Sequence, residues 1–186
     1  MNEVLKAIHN RRSIRSYGPR QLAEKDLWEI LKAAIVAPNG MNQQKWHFSV
    51  IQDKALLDKM VDIIKENVLK SGNEFLIQRV KSPGYHTFYH APTLVLISAD
   101  KQADFTHVDC GAAAQNIALA AESLGIGSCL IASSGLLFAS REGEQMSSDL
   151  GIPDGYQHII SVALGYADAD RPAMPHRNED VFSHIE

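Results

Sequence analysis

Arg11-Arg12-Ser13-Ile14-Arg15 sets three guanidinium groups and one hydroxyl into five residues, directly after a short amphipathic run. Arginine suits a phosphate or carboxylate because its planar fork donates parallel hydrogen bonds and stays charged at every accessible pH. A serine among arginines adds a neutral donor that closes an anion's coordination. The whole chain carries a formal charge of −4, so this basic knot is a local feature on an acidic background. Taken alone, the stretch also fits a solvated surface patch, a nuclear-import or nucleic-acid patch, or a kinase site at Ser13. The remainder of the sequence decides among these.

At 186 residues the expectation is one domain spanning 1–186, long enough to bury roughly 70 % of its unfolded surface. Hydrophobic residues at 45 % and charged residues at 22 % are ordinary globular values, so a packed core is expected. Cys110 and Cys129 sit in apolar contexts and read as reduced, buried thiols rather than a disulfide framework. Met1 to Lys6 lacks the apolar run of a secretory signal, and no stretch has the apolar length of a membrane span. An isoelectric point near 6.0 argues against general nucleic-acid binding. The expectation is a cytoplasmic protein with no nucleic-acid or membrane partner.

The pattern of apolar residues supplies the elements around the knot. Asn2 caps a helix whose Val4, Leu5 and Ile8 share one face. Tyr17-Gly18-Pro19 closes the basic loop, and a second helix runs from about Ala23 to Val36 on Leu27, Trp28, Ile30, Leu31, Ala34 and Ile35. Ala37-Pro38 stops it, because the residue before proline is pushed out of the helical region. An amide-rich loop follows, Pro38 to Gln44, and Trp46 to Val50 alternates as a half-buried strand does. Asp53 caps a third helix, a short helix is expected around Phe75 to Val80, and Thr93 to Ile97 reads as a buried strand. The Ala-rich run from Thr106 to Leu124 is the most apolar helix and suits close backbone approach. Ser128 to Ala132 and Tyr156 to Leu164 complete the strands, with weak helical signal between them over Ser133 to Leu150. One α+β domain fits this order, with no linker or repeat.

Several chemistries lack support. No G-x-S-x-G elbow is present. Gly125-Ile126-Gly127 has two glycines of a dinucleotide fingerprint but no third at Leu130, and it follows a helix where a strand is required. His86 and His90 stand at a metal-ligand spacing without an accompanying Glu, and read as histidines of a surface turn. In His107-Val108-Asp109-Cys110, Asp109 reads as a favourable charge at a helix start.

What remains is the basic knot and the amide loop. Arg11 to Tyr17, followed by Ala37-Pro38-Asn39-Gly40-Met41-Asn42-Gln43-Gln44-Lys45-Trp46-His47-Phe48, resembles the opening of the FMN-dependent nitroreductase family. Ala91 to Ile97, Asp109 to Asn116, Ser123 to Cys129, Leu164-Gly165-Tyr166 and Arg177 continue the likeness in order over nearly the whole chain. The resemblance implies a mainly antiparallel central sheet flanked by helices, in an interlocked homodimer with non-covalent FMN at the subunit interface. The Ala-rich helix would form much of the dimer core, and the tail through Phe182 would strap the partner. The resemblance implies that Arg11 and Ser13 hold the flavin phosphate, that Arg12 lies beside the flavin, and that Arg15 sits under the pyrimidine end of its ring. It assigns Pro38, Asn39, Gly40 and Asn42 to flavin contacts from the partner subunit. Leu130, Ile131, Ala132 and Ser133 would offer a backbone N–H to flavin N5, and Arg177 would return to the phosphate. No catalytic acid or base is implied, since the flavin carries the redox chemistry. The implied activity is ping-pong transfer of hydride from NADH or NADPH to a small-molecule acceptor such as a nitroaromatic or a quinone. Dehalogenating, flavin-fragmenting or heterocycle-oxidising variants, or a flavin-binding module without turnover, share the same site. Lys45, Pro175 with His176, and Gly84 to Thr87 depart from the family pattern.

Overall fold

Two long strands form the centre of the molecule, β2 (Thr93–Asp100) and β4 (Tyr156–Gly165), antiparallel to each other in the order β1-β2-β4-β3. The edges are β1 (Trp46–Ile51) on β2 and β3 (Gly127–Ile131) on β4, again antiparallel. The computed structural model describes residues 1–186. Six α-helices surround the sheet: α1 (Glu3–Asn10), α2 (Glu24–Ile35), α3 (Lys54–Lys70), α4 (Glu74–Val80), α5 (Thr106–Ser123) and α6 (Arg141–Asp149). Short 3₁₀ turns occupy Gly40–Asn42 and Ser133–Ala139. The expected α+β class and antiparallel sheet are what the chain adopts. The weak helical signal after Ser133 resolves into the second 3₁₀ turn and α6.

Strand alternation distributes the core to both faces, because successive side chains point to opposite sides. Leu94 and Leu96 of β2 face α3, where Leu57, Met60, Val61 and Ile64 close one core. Val95, Ile97 and Ala99 face the other way, against Ile30 and Ala34 of α2 and Cys110, Ala114, Ile117 and Ala121 of α5. Each of the Leu, Ile, Val and Met side chains among these contributes about 1.5–3 kcal/mol through removal from water. The two cysteines are free and buried, as expected.

Caps fix the helix starts. Asn2 Oδ1 accepts from the Leu5 N–H at 2.9 Å, and Asp53 Oδ1 accepts from Ala55 and Leu56 at 2.8 and 3.1 Å. The apolar stripe of α1 nevertheless finds no cover within the chain: Val4, Leu5 and Ile8 stay 44–65 % exposed. The Ala-rich helix packs closely on the chain's own sheet, as its small side chains allow. Seven of the α5 residues are buried in the chain's own core, which leaves Val108, Gly111, Ala112 and Gln115 as its free side. No helix is long and apolar enough to cross a membrane.

The segment after α1 docks on the sheet through its backbone. Ser13 bridges Ser128 in parallel, Tyr17 bridges Ala167, and the Ile14 N–H donates to Ser128 O at 2.9 Å. The Gly18 N–H donates to Tyr166 O at 2.9 Å, and the Asp168 N–H to Ser16 O at 3.1 Å. Ile14 and Tyr17 are the buried anchors of this docking. Room for them comes from two glycines that face each other across β3 and β4, Gly127 and Gly165. A Cβ on Gly127 would lie 3.0 Å from Ile14 Cγ1, and one on Gly165 would lie 2.9 Å from Tyr17 Cδ1 and 2.7 Å from Pro92 Cδ. Gly165→Ala is therefore expected to cost about 1–3 kcal/mol by overpacking. Urea denaturation measures it, and an unchanged midpoint would show that the docking has slack.

Candidate functional site

Docking the basic segment on the outer side of β3 determines where its side chains go. In an extended chain alternate residues diverge, so burying Ile14 leaves Ser13 and Arg15 on the opposite, accessible side. Beside them on β3 lies Cys129, whose thiol donates to Leu130 O at 3.7 Å. Burial raises the Cys129 pKa, while the nearby Arg15, Ser13, Arg11 and Arg79 oppose that rise. Arg11, Arg15 and Arg79 thus share one neighbourhood, and none of them has a carboxylate partner anywhere in the chain. Guanidinium groups gathered without an acid form a site of positive potential that favours an anionic ligand.

Arg12 is placed differently from its neighbours. Its Nη1 donates to His9 O at 2.7 Å and to Arg11 O at 2.8 Å, capping the carbonyl end of α1, while its buried Nε has no partner. Arg12 therefore sets the exit geometry of the loop, and the structure brings Arg11, Ser13 and Arg15 together ahead of it. Leu130 and Ile131 end β3 immediately after Cys129, Ala132 turns the chain, and Ser133 opens the 3₁₀ turn. This corner is buttressed from beneath. Ser134 Oγ donates to Ile131 O at 2.6 Å, and His158 Nε2 lies 3.0 Å from Ser134 Oγ and 3.1 Å from Ser161 Oγ. Since Ser134 gives its proton to the carbonyl, His158 must donate from Nε2, and burial pushes its pKa down to about 4.

The amide loop is strained and lies elsewhere. Met41, Asn42 and Gln44 all adopt positive φ near 53°, an uncommon backbone for residues with a side chain. Asn39 Oδ1 holds the Gln44 N–H at 2.9 Å, and Asp109 Oδ1 accepts from the Gly40 N–H at 3.0 Å. Asp109 thus anchors the loop, a role that reading it as a helix-start charge did not include. At the other end of α5, Arg171 joins Glu122 and Asn10 O. Asp109 and Glu122 are thirteen positions apart on one helix, which at 1.5 Å per residue separates the Gly40 anchor from the Asn10 anchor by about 20 Å. No hydrogen bond connects residues 38–42 with 11–15. Within one chain, Pro38, Asn39, Gly40 and Asn42 do not join the arginine cluster.

Arg177 does not join it either. Beyond Arg171 the tail lies fully exposed, and Arg177, Pro175 and His176 make no hydrogen bond or ion pair. The expectation that His86 is a surface histidine is corrected. His86 is 8 % exposed, its Nδ1 accepts from the Phe88 and His90 N–H groups at 3.2 Å, and its Nε2 faces Asp58 Oδ1 at 3.4 Å. The signal missed was its place between two backbone amides in a tight turn, which periodicity does not reveal. Arg79 and Tyr89 are the residues that sequence reasoning overlooked. Arg79 Nη2 donates to Tyr89 Oη at 3.1 Å, and the Arg15 guanidinium lies over the Tyr89 ring at 5.9 Å.

The fold is an antiparallel α+β sheet with arginines that have no carboxylate partner near its β3 edge. The nitroreductase family matches residues 8–166. The chain belongs to that family. A nitroreductase from Bacteroides fragilis, solved with bound FMN, superposes with a TM-score of 0.94 at 35 % identity, with both chains covered in full. One from Desulfitobacterium hafniense, also solved with bound FMN, gives 0.93 at 36 % identity, again with full coverage of both chains. An Archaeoglobus fulgidus protein with the provisional name NADH dehydrogenase/NAD(P)H nitroreductase is 34 % identical over 166 residues, covering 89 % of this chain and 86 % of its own.

Two histidines, His86 buried and His158 half-buried, generate a pH dependence with a definite sign. Burial lowers both His86 and His158 to about 4 from 6.5, so between those values the unfolded chain binds protons that the native chain refuses. Stability therefore rises with pH through this window, is fully present above about 6.5, and falls as pH drops toward 4. Denaturation midpoints measured from pH 4 to 7 check this. His158→Gln should flatten the slope by about one proton, and a slope identical to the parent would remove His158 from the account.

Proposed function

We propose that this chain is an FMN-dependent NAD(P)H oxidoreductase that reduces small acceptors such as nitroaromatics or quinones. The observation that carries the reading is the group of arginines at β3, free of any acid, in a chain of the nitroreductase family. The residues present fit FMN. Arg11 and the Ser13 hydroxyl supply charged and neutral donors for a phosphate, and Arg15 lies further along the same edge for the pyrimidine end of the ring. Leu130, Ile131, Ala132 and Ser133 form the corner beside that edge, where the backbone contributes hydrogen bonds. Bound FMN supplies the acceptance and redelivery of hydride. With that group bound, the cation at Arg15 would favour negative charge on the pyrimidine end of its ring. Donor and acceptor use one place in turn, which is ping-pong kinetics. No side chain is assigned as an obligate acid or base.

The site is shared between two copies of the chain. The separation of about 20 Å along α5 keeps Asn39 and Gly40 away from Arg11 to Arg15 of the same copy, which supports their reaching the site from a second one. Three uncovered surfaces support this: the α1 stripe of Val4, Leu5 and Ile8, the free side of α5 with Val108 at 70 % exposure, and the tail bearing Val181, Phe182 and Ile185. In such a homodimer the tail crosses the partner and brings Arg177 to the phosphate. The whole of 1–186 then acts as one flavin-binding unit.

Purified protein tests the reading directly. An absorption spectrum should show bound flavin that bleaches on anaerobic addition of NADH or NADPH. Colourless protein that takes up no FMN overturns the proposal, and bound flavin that neither nicotinamide reduces leaves a binding protein rather than a reductase. Arg11→Ala should weaken FMN binding by about 1.5–3 kcal/mol, the usual worth of a charged hydrogen bond. Retention of FMN through dialysis at the parent's level would take the phosphate role away from Arg11.

A further inference from the structure

We infer that Arg79 is a second cation for the pyrimidine end of the flavin, acting beside Arg15; this rests on the FMN reading above. Both guanidinium groups meet on Tyr89. Arg15 lies over its ring at 5.9 Å, and Arg79 donates to its hydroxyl at 3.1 Å. Together with Tyr85 and Tyr89 they line a cleft of about 350 Å³ that contains no Asp or Glu. Its two histidines are His86, which faces inward and accepts from backbone amides, and His90, whose ring lies 4.1 Å from that of His86 and tilted 38° to it. Two like charges brought onto one tyrosine without an acid repel each other, and an electron-rich group between them relieves that repulsion.

The rest of the cleft does not supply this partner. Tyr85 Oη and Thr87 Oγ1 hydrogen-bond each other at 3.1 Å, Thr87 is buried, and Ser82 Oγ donates to the Arg79 carbonyl at 2.7 Å. The departures from the family pattern at Gly84 to Thr87 therefore put no charged side chain of that segment beside Arg15. Arg79 engages one of its five N–H groups, with Tyr89, and keeps four available. Tyr89 itself adopts φ 55° and His90 φ 57°, an uncommon backbone that fixes the Tyr89 hydroxyl where it orients the Arg79 fork. Phosphate falls to Arg11 and Ser13 at the start of the basic segment. Arg79 shares its tyrosine with Arg15, at the end of that segment, which assigns it to the ring. There it stabilises the charge that the ring gains on reduction more than it stabilises the oxidised ring, so its action is on the redox equilibrium.

The test uses the FMN-loaded full-length protein with Arg79→Gln and Arg79→Lys. Arg79 is exposed on α4, so both variants should fold, and thermal melts confirm that they do. The midpoint potential, the affinity for oxidised FMN and for riboflavin, and the affinity for sulfite, which adds to flavin N5 and loads charge onto the ring, are measured. Arg79→Gln should lower the preference for reduced over oxidised flavin about tenfold, equivalent to about 30 mV for a two-electron couple. Sulfite binding should weaken by a similar factor, and Arg79→Lys should recover most of both. A potential and sulfite affinity equal to the parent's overturn the assignment. Loss of FMN affinity with riboflavin affinity intact also overturns it, because Arg79 would then serve the phosphate. Failure of the parent itself to bind FMN removes the underlying reading, and this inference with it.

Discussion

The arrangement depends on one close approach, that of a short extended segment against the paired ends of β3 and β4. Gly127 and Gly165 face each other at that point, and the absent side chains leave space that Ile14 and Tyr17 fill. Hydrogen bonds from Ile14 to Ser128 and from Gly18 to Tyr166 then fix the segment in register. The register determines the chemistry. With Ile14 turned into the core, Ser13 and Arg15 must face outward, and Arg11 sits where α1 ends. Tyr17 completes the lock: its hydroxyl donates to Ala163 O at 3.4 Å, and burial raises its pKa far enough that it stays neutral.

The site is then an electrostatic object more than a shaped cavity. A chain of net charge −4 gathers Arg11, Arg15 and Arg79 around one buried thiol and gives none of them an acid. Stability alone gives no reason for this arrangement, since an acid placed nearby would reduce the mutual repulsion. A ligand carrying its own negative charge does give a reason. α5 holds the amide loop at one end through Asp109 and the helix that leads into the basic segment at the other through Glu122 and Arg171. A helix of that length keeps the two apart within one molecule.

Much of this could be read from the sequence, and what could not has physical causes. Helices and strands followed from apolar periodicity because each element buries one face, or in β2 both. The basic knot was visible because three arginines in five residues are conspicuous on an acidic chain. Arg79 was not, because a single cation in the last turn of a short helix looks like an ordinary solvated charge or a complement to the helix dipole. Its meaning comes from a tertiary contact with Tyr89, ten residues on, across a turn with unusual backbone. His86 misled for a similar reason: Pro83-Gly84 signals a surface turn, yet the turn folds its histidine inward to satisfy two amides. The small residues of α5 signalled close backbone approach, and the approach they make is mostly to the chain's own sheet and α2.

The central claim is that the docked basic segment grips the phosphate of FMN while a second copy closes the site. A crystal structure of the FMN-loaded protein tests it most directly. The account predicts the phosphate within hydrogen-bond distance of the Arg11 guanidinium and Ser13 Oγ of one copy, with the loop of Pro38, Asn39 and Gly40 arriving from the other. A flavin seated away from residues 11–15, or enclosed wholly by a single copy, would contradict it.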